Sequence, residues 1–320
     1  MNFLKTAGVA ATMLAMAGVA KAEFPDKPIE FLCATSAGSG AANWCLLMAE
    51  LAGEQLGQPV EVMFKPAGAG NEAATYLDER PADGYTWLQM NTSYGGYMSL
   101  PTFRPNPDDF EVAVEVEKFL FVLAIKADSP YQTFQDLLDA MKTDGKSISF
   151  AANKPGSAHH LHLVKLFDAA GVDWKYVPYD GAGGAMRDTL GGHVDVAIGP
   201  PGIWEPHVKS GAARYLLLIN EAKLDREGLS DLPIPADFGL DYEITHQKQG
   251  VFLKKGTPPE VVEKISSAVK AALETDKYKE YLAQNVHVVP DFSDDIEAND
   301  KRFEQVREEM KTTLEKAGLL

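Results

Sequence analysis

The feature that most constrains this fold is an apolar strand that runs directly into a glycine- and serine-rich loop, which in turn opens a helix. The clearest example covers residues 32–44, with the sequence LCATSAGSGAANW. Small residues let the backbone turn sharply, and the N–H groups of the first helical turn have no partner within the helix. Such a helix start attracts a phosphate or a carboxylate. A single loop of this kind is equally compatible with a plain strand-to-helix turn, so its recurrence carries the argument.

The same alternation continues along the chain. Hydrophobic periodicity predicts strands at 29–34, 60–64, 86–90, 119–125, 148–151, 174–177 and 194–198, and helices at 42–56, 72–78, 134–142, 158–170 and 182–190. This order indicates an α/β fold with parallel sheets covered by helices on both faces. Ligands of such folds bind beyond the carboxyl ends of the strands.

Four glycine-rich loops and one polar turn lie at such strand ends, and those in the two halves can face each other across a cleft. The candidate ligand-binding residues are Ser36, Gly38, Ser39, Gly40, Asn43, Trp44, Asn71, Asn91, Thr92, Ser93, Ser157, His159, His160, Tyr179, Asp180 and Gly181. We expect the backbone N–H groups at 40–43 and 157–160 to hold carboxylate oxygens, with 179–181 closing the site. Aromatic rings at Trp44, Tyr94 and Tyr179 favour an apolar or aromatic ligand body.

The first 22 residues have the pattern of a secretory leader. Lys5 precedes an apolar run at 7–19, and Ala20-Lys21-Ala22 forms an A-x-A cleavage site. We therefore predict cleavage after Ala22 and a periplasmic protein that begins at Glu23. A lipoprotein would carry a cysteine at that position.

The net charge limits the partners. It is −16 for the whole chain, and loss of Lys5 and Lys21 with the leader lowers it to −18. Such a surface repels nucleic acid and anionic membranes. Screening beyond about 8 Å at physiological ionic strength still lets a local group of donors bind an acid.

Cys33 and Cys45 are the two cysteines of the chain. An exported protein can join them, but one lies at a strand end and the other inside the next helix. Their Cα atoms would then be within bonding range only if the packing brings them together. Two buried thiols are therefore the favoured prediction, with a disulfide as the alternative.

Enzymatic interpretations receive little support. Residues 68–73 match G-x-G-x-x-A after a strand, which is a dinucleotide fingerprint of low specificity, and no G-x-S-x-G nucleophile elbow occurs. His159, His160 and His162 would not share a helix face, so they make a poor metal-ligand set. We predict no catalytic residue, no metal and no cofactor.

Several short motifs, in order and at matching spacing, carry a family resemblance. They are FPDKPI at 24–29, LGQPV at 56–60, KP at 65–66 before GAGN at 68–71, PADGYT at 81–86, GSAHHL at 156–161, VPYDG at 177–181, LGGHVD at 190–195, PHV at 206–208 and GTP at 256–258. Over nearly the whole mature chain, the sequence resembles the extracytoplasmic solute-binding receptors of the tripartite tricarboxylate transporters, the TctC-like or Bug proteins.

The resemblance implies a two-lobed periplasmic binding protein of type II, a Venus flytrap, with the first lobe at 23–123 plus 251–320 and the second at 124–250. It implies a receptor that hands an organic acid to membrane permease subunits, and members of the family typically take tricarboxylates, dicarboxylates, amino acids or aromatic carboxylates. For this chain we expect a monomer that captures an organic carboxylate, either a di- or tricarboxylate or an aromatic acid. A secreted hydrolase or lyase acting on a small organic acid is the alternative.

Two departures from the family pattern bear on the ligand. The first loop of the family usually reads AGGGTD, whereas residues 37–42 read AGSGAA, and the family's Asp-Asn after the strand ending at Ile198 is Gly199-Pro200 here. Two acidic positions near the cleft are thus absent. The identity of the acid should therefore not be taken over from a typical member.

Overall fold

The computed structural model of the protein describes residues 23–92, 94–316, 318 and 320. The predicted leader and Ser93 lie outside the described residues. The strands are β1 (Ile29–Cys33), β2 (Val60–Phe64), β3 (Thr86–Asn91), β4 (Phe110–Phe119), β5 (Phe121–Lys126), β6 (Ser149–Asn153), β7 (Lys175–Tyr179), β8 (Val196–Gly199), β9 (Ala213–Ile219), β10 (Lys248–Lys254) and β11 (Val288–Ser293). The helices are α1 (Gly40–Leu56), α2 (Asn71–Asp78), α3 (Tyr94–Met98), α4 (Phe134–Asp144), α5 (Ala158–Ala170), α6 (Ala182–Leu190), α7 (Pro201–Lys209), α8 (Pro259–Leu273), α9 (Asp276–Gln284) and α10 (Ile296–Lys316).

The strands form two sheets, as the α/β prediction requires. A six-stranded sheet has the order β11-β4-β10-β3-β1-β2, and a five-stranded sheet has the order β7-β6-β8-β5-β9. We call the part of the chain built on the six-stranded sheet the first lobe and the part built on the five-stranded sheet the second lobe. No helix within the described residues is long and apolar enough to cross a membrane.

Both sheets are mixed, which corrects the prediction of purely parallel sheets. β1 pairs in parallel with β2 and β3, while β10 runs antiparallel between β3 and β4. The second lobe repeats this order, because β6 pairs in parallel with β7 and β8, and β5 lies antiparallel between β8 and β9. In each sheet the inserted strand follows a crossing from the other lobe. The two crossings run side by side, since the N–H of Phe119 donates to the carbonyl of Gln247 at 2.8 Å.

Each sheet is covered by apolar side chains on both faces. Successive strand residues point to opposite faces, so Phe31 packs with the α1 and α8 side of the first lobe while Leu32 packs with the α2 side. In the second lobe, Leu123 and Val122 divide between two core clusters in the same way. Near-continuous apolar strands are typical of sheets that are buried on both faces.

The last helix, α10, contacts both lobes. Its Phe303 ring lies 5.1 Å from that of Phe252 in β10, while Val306 and Met310 join the core of the second lobe. The helix therefore packs across the junction of the two sheets. The lobe boundaries at 123/124 and 250/251 stay a prediction.

One ionisable carboxyl lies fully inside the first lobe. Glu117 of β4 is 0% exposed, and it accepts hydrogen bonds from the hydroxyls of Tyr278 and Tyr281 in α9, each at 3.1 Å. Burial raises the pKa of Glu117 to about 7, although the two tyrosine hydrogen bonds act in the opposite direction. Burial thus favours the protonated form of this carboxyl.

Candidate ligand-binding site

The first predicted loop lies between β1 and α1, and its end is organised by Ser39. The Ser39 Oγ accepts a hydrogen bond from the N–H of Ala42 at 3.1 Å and lies 2.9 Å from Thr35 Oγ1, so Ser39 is the N-cap of α1. Among the described residues, no acceptor is found for the N–H groups of Gly40 and Ala41. Two backbone donors thus remain available at the start of α1.

The side chains around this helix start divide between surface and core. Ser36, Gly38 and Asn43 are exposed, whereas Trp44 is 0% exposed and lies edge-on to Phe31 with 6.1 Å between ring centroids. Because α1 packs against the sheet, its sheet-facing side chains are buried whatever their size. The structure therefore corrects the prediction for Trp44, whose indole belongs to the core and not to the loop surface.

A disulfide joins Cys33 at the end of β1 to Cys45 in α1, with the Cα atoms 6.3 Å apart. The prediction of two free thiols was wrong, because the first turns of α1 pack directly over the end of β1. The bond encloses the whole loop that carries Gly40 and Ala41. It therefore limits how far this loop can move relative to the sheet.

In the second loop, Asn71 has a structural partner. Its Oδ1 accepts a hydrogen bond from the N–H of Arg104 at 2.9 Å, which ties the start of α2 to the long segment before β4. Gly68 and Gly70 both have positive φ, of 63° and 89°, so this turn needs glycine. The side-chain oxygen of Asn71 is thus already used within the protein, and Asn71 as a ligand contact stays a prediction.

Tyr94 connects the ends of three strands. Its hydroxyl donates to the carbonyl of Ala34 after β1 at 3.1 Å, and a Cβ on Gly70 would lie 2.6 Å from its ring. Burial raises the pKa of Tyr94 to about 12, so the hydroxyl stays protonated. The sequence predicted a Tyr94 ring near the cleft, but no local pattern indicated that Tyr94 connects three strand ends.

The polar turn after β3 leads to the crossing segment. Asn91 ends the strand and is half-buried, and Thr92 is buried. The Thr92 hydroxyl donates to the carbonyl of His246 at 3.2 Å and accepts from the N–H of Lys248 at 3.0 Å. Thr92 therefore fastens the first lobe to the crossing into β10, and its role as a ligand contact stays a prediction.

In the second lobe, Ser157 is the N-cap of α5. Its Oγ accepts from the N–H of His160 at 3.3 Å, and the residue is only 5% exposed. No acceptor for the N–H groups of Ala158 and His159 is found in the part of the chain that the structure describes. The start of α5 thus has the same pair of available donors as the start of α1.

The histidines that follow Ser157 are buried and have different neighbours. Asn153 Nδ2 lies 3.3 Å from Nδ1 of His159, whose ring also packs edge-on against Phe121. His160 stacks on Tyr176 with 4.3 Å between ring centroids, and His162 packs against Phe121 at 4.9 Å. All three histidine rings are therefore packed inside the second lobe, and contact of His159 or His160 with a ligand stays a prediction.

Burial keeps these three rings neutral. It lowers the pKa of His159 and of His160 to about 4 each, and that of His162 well below its usual range. At neutral pH these rings therefore contribute packing and weak hydrogen bonds, but no positive charge.

The last predicted loop precedes α6. The Tyr179 hydroxyl donates to Asp188 Oδ2 at 2.7 Å, and burial together with this bond raises the pKa of Tyr179 to about 12. Gly181 is the N-cap of α6 and offers no side-chain cap. Asp180 pairs with Lys154 of the preceding loop, with 2.9 Å between Oδ1 and Nζ.

The second-lobe loop at 153–157 touches the first lobe. A Cβ on Gly96 in α3 would lie 2.5 Å from the carbonyl oxygen of Gly156, and a Cβ on Gly156 would lie 2.7 Å from Leu314 in α10. Neither position has room for a side chain. The two lobes therefore meet directly beside the start of α5.

A cavity of about 330 Å³ lies beside the crossing segments and was not foreseen. Its lining includes Thr92, Lys118, Tyr242, His246, Lys248 and Arg302. These residues come from segments that lie far apart in the sequence. No local pattern could therefore have revealed the cavity.

Comparisons with known proteins fit this geometry. The family model described as "Tripartite tricarboxylate transporter family receptor" matches residues 46–315. The chain belongs to this family. A Cupriavidus necator protein, named "UPF0065 protein in gbd 5'region", is 30% identical over 99% of this chain and 98% of its own length.

Solved structures agree on the fold. A TctC solute-binding protein from Polaromonas superposes with a TM-score of 0.80 at 22% identity, covering 92% of this chain and 99% of that one. An R. palustris protein described "with adipate" has a TM-score of 0.70 at 23% identity and the same coverage. The chain therefore has the predicted two-lobed fold of periplasmic solute-binding proteins. The family to which it belongs is one of receptors and not of enzymes.

Proposed function

We propose that this protein is an extracytoplasmic receptor that binds a small organic carboxylate between its lobes and delivers it to membrane permease subunits. The observation that carries the proposal is the pair of matching helix starts, each with two backbone N–H groups that lack a partner among the described residues. Membership of the receptor family supports it, as does the adipate in the R. palustris structure.

The binding mechanism rests on the two helix starts. N–H groups of Gly40 and Ala41 at α1 and of Ala158 and His159 at α5 would each donate to carboxylate oxygens, and the helix dipoles favour the negative charge. Closure of the lobes around the ligand would complete the site. The closed form is then what permease subunits would recognise.

Export and assembly are part of the same proposal. The A-x-A site after Ala22 would release a periplasmic chain that begins at Glu23, and this chain would act as a monomer. The remaining predicted contacts, Ser36, Gly38, Asn43, Tyr179 and Gly181, would line the cleft.

A thermal-shift screen with aliphatic and aromatic mono-, di- and tricarboxylates tests the proposal. An acid present at 100 times its Kd stabilises the folded state by ~2.7 kcal/mol, which raises Tm by several degrees. The methyl ester of the best acid should bind much more weakly, because charged acceptors strengthen N–H hydrogen bonds. Equal affinity for acid and ester would contradict the carboxylate site.

The variant Ser39→Asp tests whether the start of α1 is part of the ligand site. Aspartate keeps the N-cap of α1 but sets a negative charge beside the proposed carboxylate, so we expect an affinity loss of roughly tenfold or more in calorimetric titration. Thr133→Asp is the matched control, since Thr133 caps α4 outside every candidate loop. Loss of less than about threefold for Ser39→Asp, with an unchanged Tm, would remove α1 from the site.

A further inference from the structure

The cavity of about 330 Å³ beside the crossing segments is not used by the proposed carboxylate site. Its wall comes from both lobes, since Lys118 lies in β4 of the first lobe and Glu221 follows β9 of the second. Among the described residues that line it, none belongs to the starts of α1 and α5. Because cavities of this size hold small molecules, it is a candidate for a second site.

The charged side chains of the wall balance each other. Apart from His246, the described lining has three basic and three acidic side chains: Lys118, Lys248, Arg302, Glu221, Glu243 and Asp291. Lys118 Nζ lies 3.4 Å from the Glu221 carboxylate, and Lys248 Nζ lies 2.9 Å from that of Asp291. An ion that entered the cavity would have to separate such a pair, so a charged ligand gains little here.

Two of the basic side chains are also neutralised from behind the wall. The Glu115 carboxylate accepts from Lys248 Nζ at 3.0 Å and from Arg302 Nη2 at 2.7 Å. Glu115 is buried, so this partner is not displaced by a ligand from solvent. The described part of the wall therefore offers many polar groups but no uncompensated cation.

Two residues of the wall carry buried polar atoms that lack a hydrogen-bond partner among the described residues, namely the Tyr242 hydroxyl and His246 Nδ1. Burial raises the pKa of Tyr242, so its hydroxyl stays protonated and can both donate and accept. His246 Nε2 contacts the Glu221 carboxylate, so Nδ1 accepts when the ring is neutral and donates when it is charged. Buried polar groups without partners cost stability, and a ligand that pairs with them is therefore favoured.

We propose that this cavity binds an uncharged polyhydroxy compound, either a polyol or a monosaccharide. A hydroxyl both donates and accepts, so it can pair with the Tyr242 hydroxyl and with either form of His246. Hydroxyls can also bond to the ion pairs of the wall without separating them. Ile244 and Val306 add apolar surface for the C–H groups of such a ligand. This site goes beyond the proposed function and does not depend on it.

Two matched sets of probes test the ligand class by calorimetric titration at neutral pH. The first set is sorbitol, gluconate and glucamine, and the second is glucose, glucuronate and glucosamine, each in the order neutral, anionic and cationic. We expect sorbitol or glucose to bind saturably, with a Kd on the order of 1 mM or lower. Saturation separates binding from the general stabilising effect of polyols, which are excluded from protein surfaces. Absence of saturable binding by both neutral probes would overturn the inference.

One variant assigns the binding to the cavity. Tyr242→Phe removes a hydroxyl that has no partner within the described chain, so the fold should be kept, and the neutral probe should bind about fivefold more weakly. Tyr131→Phe is the matched control, because Tyr131 packs against the same core of the second lobe but does not belong to the described lining. A neutral probe that loses no more affinity in Tyr242→Phe than in Tyr131→Phe would contradict the proposal.

The same pair of variants separates this cavity from the carboxylate site. Gluconate and glucuronate can also bind at the helix starts, so only binding that Tyr242→Phe weakens is assigned to the cavity. For that binding we expect each neutral probe to exceed its two ions by about tenfold. If an ion binds there as tightly as its neutral counterpart, the ligand class is wrong. None of these outcomes affects the carboxylate receptor, which the thermal-shift screen tests independently.

Discussion

The loop at 36–43 in the first lobe carries no charged side chain and is enclosed by the Cys33–Cys45 disulfide, whereas the loops of the second lobe contain no cysteine but carry the Lys154–Asp180 pair. Both sides nevertheless present a helix start with two available N–H groups. In the proposed site, the first lobe would supply a backbone cradle fixed by the disulfide, whereas the second lobe would contribute a helix start that no disulfide fixes.

The interiors differ as well. The first lobe buries a carboxyl, Glu117, whose pKa is raised to about 7, while the second buries three histidines whose pKa values are lowered. In both lobes, burial favours the neutral forms of these particular groups. The Glu117 carboxyl of the first lobe becomes charged as the pH rises, whereas the buried histidines of the second lobe become charged as the pH falls. A change of pH therefore affects the stability of the two lobes in opposite directions.

Acidification should destabilise the second lobe most. A histidine with a folded pKa of about 4 and an unfolded value near 6.5 binds its proton first in the unfolded state, so stability is present above pH 6.5 and is lost as the pH falls toward 4. Between pH 7.5 and 5, His159 and His160 together should remove about 4 kcal/mol from the free energy of unfolding. Urea unfolding across this range measures the loss.

A variant of His162 tests whether the buried histidines cause this loss of stability. Both ring nitrogens of His162 are buried without a hydrogen-bond partner among the described residues. His162→Leu should lose less stability on acidification than the parent, and exposed His193→Leu should behave like the parent. If hydrogen exchange at pH 5 shows the six-stranded sheet opening before the five-stranded one, the comparison of the two interiors is wrong.

The sequence allowed the α/β class and the strand-to-loop-to-helix order to be predicted, because apolar strands and glycine turns are local signals. β4 was missed. Its alternation of valine with Glu115 and Glu117 resembles a half-exposed strand, but Glu115 is buried against Lys248 at 3.0 Å and Arg302 at 2.7 Å. Such pairing between distant residues leaves no local pattern.

The candidate site shows the same division. The capping roles of Ser39 and Ser157 follow from short motifs, and both were within the predicted set. The burial of Trp44 and the disulfide depend on how closely α1 packs on β1, which no local pattern encodes. The link from Thr92 to the crossing segment was not foreseen, because its partners, His246 and Lys248, lie more than 150 residues away.

Removing the disulfide should have the next largest effect on stability, and this effect should be confined to the first lobe. Closing a loop of this length, with a separation of 12 residues, stabilises the folded state by ~3 kcal/mol in the chain-entropy view. The Cys33→Ala, Cys45→Ala double variant should therefore unfold more easily and bind its acid several-fold more weakly. Differential scanning calorimetry and titration measure both.

The parent protein refolded with reductant and without it shows the effect of the disulfide alone, because both samples keep the two sulfur atoms and their packing. The double variant should not respond to reductant. Unchanged affinity in the reduced parent would mean that the cradle of the first lobe keeps its shape without the bond, and the contrast between a fixed and an unfixed side would be lost.

The smallest expected effect concerns Glu117. Its folded pKa of about 7 lies above the unfolded value of 4.5, so the folded state holds the extra proton, and stability falls as the pH rises from 4.5 through 7. Between pH 5 and 8 this should cost about 2.5 kcal/mol. Glu117→Gln, which imitates the neutral acid, should make the first lobe's unfolding nearly independent of pH over this range.

Glu115→Gln, two residues away on β4, should instead destabilise the folded state at every pH, because it leaves Lys248 and Arg302 facing a neutral group. Urea unfolding with hydrogen exchange reports both. A Glu117→Gln variant that keeps the parent's pH dependence in the six-stranded sheet would show that this carboxyl is not the group that distinguishes the two interiors.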